Sequence, residues 1–299
     1  MDQIARLFDQ QLLRARQRRA ALRPVTFLLD RVADELAERL AAVLRRFDLA
    51  VDLGTPGDAV RRALAANACL PATLIAAHPL ADLCPGAGPA VVADLEALPF
   101  REGALDLIVS ALALHWTDDL PGALAQIRRA LRPDGLFLAA LLGGDTLTEL
   151  RQSFAEAEAD TLSGASPHVA PFADVRALGQ LLQRAGFALP VTDRERITVR
   201  YDNAFALFDD LRWMGATNVL RERSRRPLRR GTLLRAAEVY AQRFSDPDGR
   251  IRATFDVVWL SGWAPHASQQ QPLRRGAASA RLADALKTTE VPAGEKPGQ

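Results

Sequence analysis

Several short stretches of the chain end in residues whose types and spacing suit one ligand. In AVDLGTPGDAV an apolar run closes on Asp52 and is followed by Gly54 and Gly57, and glycines in such a turn let a ligand approach the backbone closely. In VVADLEALPF a second run ends in Asp94 followed by Leu95. A carboxylate there can accept from the exocyclic amine of an adenine while the leucine packs on the ring. A third run ends in LALHW with His115, and GGDTL presents Asp145 after two glycines. Together these loops point to an adenosyl ligand; turn capping is the plainer account of Asp52 and Asp94.

Loops can share a ligand only if one scaffold brings them to one edge, and an open parallel sheet does so at the carboxyl ends of its strands, where helix N-termini also point. The required elements are legible. LAVDL (Leu49 to Leu53), TLIAA (Thr73 to Ala77), AVVAD (Ala90 to Asp94), LDLIVSALAL (Leu105 to Leu114) and GLFLAALLG (Gly135 to Gly143) each read as a buried strand. PGALAQIRRALRPDG reads as a crossover helix with Pro121 in its first turn and a stop at Pro133 to Gly135. TLTELRQSFAEAEAD and FADVRALGQLLQRAGF predict two more helices, the second closed by Gly186, and RITVRY (Arg196 to Tyr201) and IRATFDVVWLSGW (Ile251 to Trp263) predict two last strands. His115 and Asp145 follow the fourth and fifth strands, so both are expected to face the cleft.

The predicted fold is α/β: a Rossmann-like, seven-stranded, mostly parallel sheet with a helical insertion between its last two strands. The expected organisation is an N-terminal helical segment over 1–46, a main domain over 47–263 with the insertion at about 203–245, and a tail over 264–299 that is disordered from about Ala277. In the insertion, Phe205, Leu207, Phe208, Leu211 and Met214 predict an amphipathic helix packed on the sheet edge, part of a lid or substrate-binding cap.

Composition narrows the function. A hydrophobic fraction of 48% with 25% charged residues is that of a globular protein, and no apolar run approaches a membrane span. The charged N-terminal stretch lacks the apolar core of a secretory signal, so a cytoplasmic location is expected. Cys69 and Cys84 lie in no metal-type spacing. A net charge of +2 gives no argument for nucleic acid. Two arginine clusters stand out, Arg14, Arg16, Arg18 and Arg19, and Arg221, Arg223, Arg225, Arg226, Arg229 and Arg230. A solvated face is the plain reading; an acidic protein surface or lipid headgroups at the inner face of the plasma membrane is the functional one.

The blocks LFDQQLLRARQRRA, LHW, GGDTL, SPHVAPF and GWAPHASQ, within a likeness that spans about residues 5 to 275, resemble the respiratory complex I assembly factors of S-adenosylmethionine-dependent methyltransferase fold. A more distant similarity runs to the malonyl-carrier-protein O-methyltransferase of biotin synthesis, which usually carries glutamine where this chain has His115. The resemblance implies the class I methyltransferase fold, S-adenosylmethionine binding through Asp52, Gly54, Gly57, His78, Asp94 and Leu95, and a role in building NADH:quinone oxidoreductase. It further implies a protein substrate, a hydrophilic complex I subunit, modified by arginine hydroxylation or methylation. Hydroxylation requires a metal or redox cofactor, for which two histidines and a carboxylate would be the familiar iron set. No metal ligands are assigned; His115 and Asp145 are the expected catalytic pair, and His168 and His266 read as loop histidines.

The first loop departs from the family's usual DLGCGRG. Pro56 replaces a glycine and cannot donate an N–H, and Asp58 brings a negative charge toward the cofactor's carboxylate, a repulsion expected to weaken binding by about one to three orders of magnitude. His78 stands where the family has an acid for the ribose hydroxyls, and Asp82 is the nearest later acid. Two alternatives follow: an O-methyltransferase acting on a small-molecule or carrier-protein carboxylate, and a non-catalytic assembly chaperone with a degenerate cofactor loop.

Overall fold

The computed structural model describes residues 6–84, 86–161, 164, 166–270 and 287–289. The chain forms two compact units, Met1–Pro265 and His266–Gln299. The tail predicted to be disordered falls almost wholly outside the described residues.

Two helices, α1 (Gln10–Ala20) and α2 (Phe27–Ala41), precede the sheet. Then come β1 (Leu49–Leu53), α3 (Ala59–Ala66), β2 (Thr73–His78), β3 (Ala90–Val92), β4 (Leu105–Ala111), α4 (Leu120–Ala130) and β5 (Leu131–Leu142). The second half holds α5 (Thr148–Thr161), α6 (Val175–Arg184), β6 (Ala188–Tyr201), α7 (Ala204–Trp213), α8 (Arg230–Phe244) and β7 (Ile251–Trp263). The strands form one sheet in the order β3-β2-β1-β4-β5-β7-β6. β1 to β5 pair in parallel, and β7 runs antiparallel between β5 and β6. This is the predicted seven-stranded sheet, with α7 and α8 inserted between its last two strands in sequence.

Element limits differ from the sequence reading for local reasons. α4 is capped by Asp119, whose side chain accepts from the Gly122 N–H, but it ends at Ala130 because Leu131 already pairs with Leu105 as the start of β5. β4 stops at Ala111, since Leu112 has φ +51 and residues 114–116 wind into a 3₁₀ turn that carries His115. β3 ends at Val92, which leaves Asp94 in the following loop. β6 begins at Ala188, ahead of the predicted Arg196. Its alternating partly buried and exposed positions pair with β7 to the end, and its polar residues concealed the strand.

Helices cover both faces. On one, α2 buries Val32, Leu36 and Leu40 against Leu107, Leu138 and Trp259 of the sheet. On the other, Leu124 and Ile127 of α4 and Leu178 and Leu182 of α6 meet Ile108 and Phe137. A third cluster joins α7, α8 and α5 to β7: Leu207 and Leu211 pack with Phe154, Tyr240 and Phe255. The α7 stripe therefore beds on two helices as well as the sheet, and Phe205 lies off it, 46% exposed.

Because α2 supplies part of the sheet's own core, its loss is felt as a core deletion. Leu36, fully buried, gives on replacement by alanine an expected loss of about 2–5 kcal/mol, measured by chemical denaturation.

Candidate functional site

The loops after β1, β2, β3 and β4 border one continuous cleft of about 980 Å³, at the upper end of the size range of ligand pockets. Gly54, Gly57, His78, Asp94, Leu95 and His115 all line it, joined by α1, by His168, Val169, Ala170 and Phe172, and by α7 with the chain that follows it. Two of the sequence-predicted residues do not. Asp52 is buried behind the glycine turn, and Asp145 is drawn to β6, where its carboxylate pairs with Arg194 and Arg196. The expectation that Asp145 faces the cleft beside His115 is thus corrected. Two arginines on the neighbouring edge strand hold its charge, and Gly143 donates instead to the Asp256 carbonyl.

The glycine turn is built for close approach. Gly54 (φ +79) donates to the Ala77 carbonyl at 2.7 Å, and a Cβ there would meet Ala113 at 2.8 Å and Leu95 at 3.0 Å. Gly57 (φ +73) has open space where a Cβ would stand. Asp58 beside it is not a bare charge: Arg62 bonds it at 2.9 Å and also reaches Asp30. Asp52 keeps one oxygen without a hydrogen-bond partner. Burial pushes its pKa up to about 7, against the opposing pull of the Thr55 hydroxyl and Arg61.

His78 is buried, and burial depresses its pKa to about 4, so the ring is neutral at ordinary pH. The Leu80 N–H donates to Nδ1 at 3.0 Å. The Leu80 carbonyl lies 3.2 Å from the same Nδ1. Leu80 thus engages Nδ1, and a neutral imidazole has one ring nitrogen, Nε2, left for a ligand. Asp94 binds Arg14 at 3.3 Å and accepts from the Glu96 N–H, and Asp82 binds Arg18 at 3.1 Å. The N-terminal cluster read as a solvated face in fact lays α1 along the cleft, clasping the loops after β2 and β3.

His115 retains some solvent contact as a residue. Its Nδ1, however, is buried without a partner, and burial holds the pKa near 3. The ring lies between Trp116 (centroids 4.8 Å apart) and Phe172 (5.8 Å). SPHVAPF thus supplies one wall of the His115 site. It also supplies His168, which lines the cleft, stacks on Phe154 at 4.1 Å and bonds the buried Glu158 through Nε2 at 2.7 Å. Burial raises the Glu158 pKa, but hydrogen bonds from His168 and Ser166 outweigh it and the net shift is downward. The helical partner Glu158, ten residues before His168, was missed in the sequence because nothing in their spacing links a helix to a loop.

His266 belongs to the second unit, with Nδ1 bonded to the Ser268 hydroxyl. Trp116 and Trp213 line the cleft, whereas Arg39 covers the buried Trp259 and Arg45 covers Trp263. Among the described residues no group of three His, Cys, Asp or Glu side chains is placed to hold a metal ion.

Strand order, antiparallel β7 and a glycine turn at the head of the cleft define the class I S-adenosylmethionine-dependent methyltransferase fold. A family model described as a methyltransferase domain matches residues 51–139. Among solved structures, the YcgJ protein of Bacillus subtilis superposes with a TM-score of 0.52 at 13% identity, covering 78% of this chain and 98% of that one. The chain is 40% identical over 298 residues to the mouse (Mus musculus) protein named arginine-hydroxylase NDUFAF5, mitochondrial, covering 97% of this chain and 87% of that one. The human (Homo sapiens) counterpart is 38% identical over 308 residues, covering 97% and 86%. The malonyl-[acyl-carrier protein] O-methyltransferase of Laribacter hongkongensis is 42% identical over 186 residues, 62% of this chain and 60% of that one. The chain belongs to the NDUFAF5 arginine-hydroxylase family.

The residues fit the cofactor of this fold in part: open space at Gly57, Leu95 beside the turn and an acid at Asp94 suit an adenosyl group, while His78 is a neutral imidazole whose Nδ1 is already engaged by Leu80. Two outcomes are expected. Gly54→Ala, which adds a clash with Ala113 to the strain of its positive φ, destabilises the protein more than Gly57→Ala, which carries only the strain of about 1–2 kcal/mol; thermal unfolding of the pair checks the order. Asp52, whose folded pKa lies above its unfolded value of about 3.9, contributes stability that is full below about pH 4 and is lost as pH rises toward 7. His78 and His115, with depressed pKa values, act in the opposite sense over much of that window. The readout is therefore the difference in stability between Asp52→Asn and the parent, which should increase from pH 4 to 7 in favour of the variant; a flat difference contradicts the assignment.

Proposed function

We propose that the protein binds S-adenosylmethionine and modifies an arginine side chain of a hydrophilic complex I subunit during assembly of that enzyme. One observation carries the reading: the cleft runs without a break from the glycine turn to an aromatic end formed by His115, Trp116, Phe172 and Phe154, with room for a cofactor and a client side chain together. Kinship with proteins named arginine-hydroxylase supports arginine as the target. The 54–57 turn, Asp94, Leu95 and His78 would hold the cofactor. When bound, S-adenosylmethionine supplies an electrophilic methyl group. Neutral His115 would meet the client at the reacting end, and the aromatic walls would exclude water. Asp145 has no part in this reading.

Among the described residues no helix is long and apolar enough to cross a membrane. We place the action at the cytoplasmic face of the membrane that carries the client enzyme. Arg14, Arg16, Arg18, Arg221 and Arg223 bond within the chain, which leaves Arg19, Arg225, Arg226, Arg229 and Arg230 as the exposed remainder for an anionic client or lipid surface.

A second reading, a non-catalytic assembly chaperone, draws on the clasp of α1: Arg14 and Arg18 hold Asp94 and Asp82, acids of the cofactor end. Calorimetric titration with S-adenosylhomocysteine separates the two, since the enzyme reading requires saturable binding and the chaperone reading survives none. Replacing Pro56 and Asp58 by glycine is expected to tighten that binding. Intact-mass analysis of the hydrophilic subunits, from cells with and without the protein, then tells a gained oxygen from a gained methyl; no change in mass alongside failed assembly would refute both modifications.

A further inference from the structure

The aromatic end of the cleft holds an acceptor whose direction is set by a buried carboxylate. Glu158 is almost wholly buried near the end of α5. One of its oxygens accepts from the Ser166 N–H at 2.6 Å; the other meets His168 Nε2 at 2.7 Å and the Ser166 hydroxyl at 3.1 Å. Because the carboxylate is ionised, with a lowered pKa, it only accepts. The proton of a neutral His168 is therefore fixed on Nε2, and Nδ1 is left as an acceptor on a ring that lines the cleft. Burying a carboxylate beneath a histidine in this way serves to orient the ring as well as to tie a loop.

The carboxylates around the cleft each have a partner within the chain. Asp58, Asp82 and Asp94 pair with arginines of the chain, while Glu96 and Asp118 accept from backbone N–H groups. Other polar groups remain. Besides His168, Thr217 and His115 line the same cleft, and the Thr217 hydroxyl oxygen and His115 Nδ1 are each buried without a hydrogen-bond partner. Asn218 ties the Thr217 segment to this end, its side chain donating to the Pro167 carbonyl at 2.7 Å. Phe154, stacked under His168, and Phe208 beside it give flat apolar walls.

We propose that His168 Nδ1 is the acceptor that receives the guanidinium of the client arginine, with Glu158 as the residue that positions it. A guanidinium has five N–H donors and no acceptor, and its plane stacks on aromatic rings. It matches neutral acceptors set among phenylalanines. The proposal rests on arginine being the target, and its test distinguishes failure of that reading from failure of the residue assignment.

The variant Glu158→Gln is nearly isosteric, and the Ser166 N–H dictates its orientation. The amide carbonyl must take that N–H, which turns the NH₂ toward His168. The imidazole must then accept at Nε2 and carry its proton on Nδ1, which turns Nδ1 from acceptor to donor. Nitrogen-15 NMR of the histidine ring in the free protein reads this directly: the proton is expected on Nε2 in the parent and on Nδ1 in the variant. A parent proton on Nδ1 overturns the proposal.

The binding arm uses a blocked Gly-Arg-Gly peptide and its norleucine counterpart. The parent is expected to prefer arginine, and both Glu158→Gln and His168→Ala are expected to lose about tenfold or more of that preference, the scale of one good hydrogen bond. Equal binding of the two peptides by the parent removes the arginine reading and this proposal with it. A preference for arginine that survives both variants leaves the arginine reading standing and refutes the role of His168. Since His168→Ala also removes a stacked ring, Glu158→Gln decides where the alanine variant fails to fold.

Discussion

Two buried hydrogen bonds at the centre of the sheet hold the site open. The Ser110 hydroxyl donates to the Leu53 carbonyl at 2.7 Å, and the Ala111 N–H donates to the Thr55 hydroxyl at 3.0 Å. They cross between the ends of β1 and β4, where the strand order reverses and the chain leaves in opposite directions. Without them the first turn would be free to fall into the gap between strands. With them, Gly54 is pressed against Leu95 and Ala113, so the loops after β1, β3 and β4 share one rigid contact. The buried Asp52, bonded to Thr55, belongs to this brace and not to the cleft wall. Its raised pKa is the electrostatic cost of seating a carboxyl behind the turn.

The fold was legible because its signals are local. Five apolar runs, each ended by turn residues, gave β1 to β5 in order, and the gap between the last two runs marked the insertion. What escaped was set by distant partners. β6 has polar residues at alternate positions and becomes a strand only because β7 lies along it, so its first half read as loop. Asp145 sits where a ligand residue should be, but Arg194 and Arg196 of that same strand claim it. The site divides likewise. Gly54, Gly57, His78, Asp94, Leu95 and His115 could be found from their position after strands. His168 has no such position, and neither do Thr217 or the arginines of α1.

Charge in the cleft is arranged by exchange between neighbours. Read as a sequence, Asp58 brings repulsion to the cofactor's carboxylate. In the folded chain Arg62 binds it, and Arg62 also binds Asp30. All three side chains are more than a third exposed, and such pairs are worth about 0–1 kcal/mol each. A carboxylate arriving at the turn therefore meets a cation that can turn toward it at little cost. The unfavourable residue and its remedy lie one helical turn apart, a compensation that the motif alone does not display.

The same weakness of exposed pairs decides how α1 can both seal the cleft and admit a ligand. At its start the segment is firmly held: Phe8 is 2% exposed, its N–H and that of Leu7 reach Asp118, and Arg223 clasps Asp9. Along the cofactor end the contacts are Arg14 to Asp94 and Arg18 to Asp82, all more than two-fifths exposed. Apolar burial fixes where the helix lies, whereas these ion pairs, screened by solvent, contribute little. In the proposed function an adenine amine would take over one oxygen of Asp94 while α1 stays in place, because the helix does not depend on that bond for its position. The N-terminal segment is then a wall of the cleft, and its arginines sit at the acids that the proposed ligand would use.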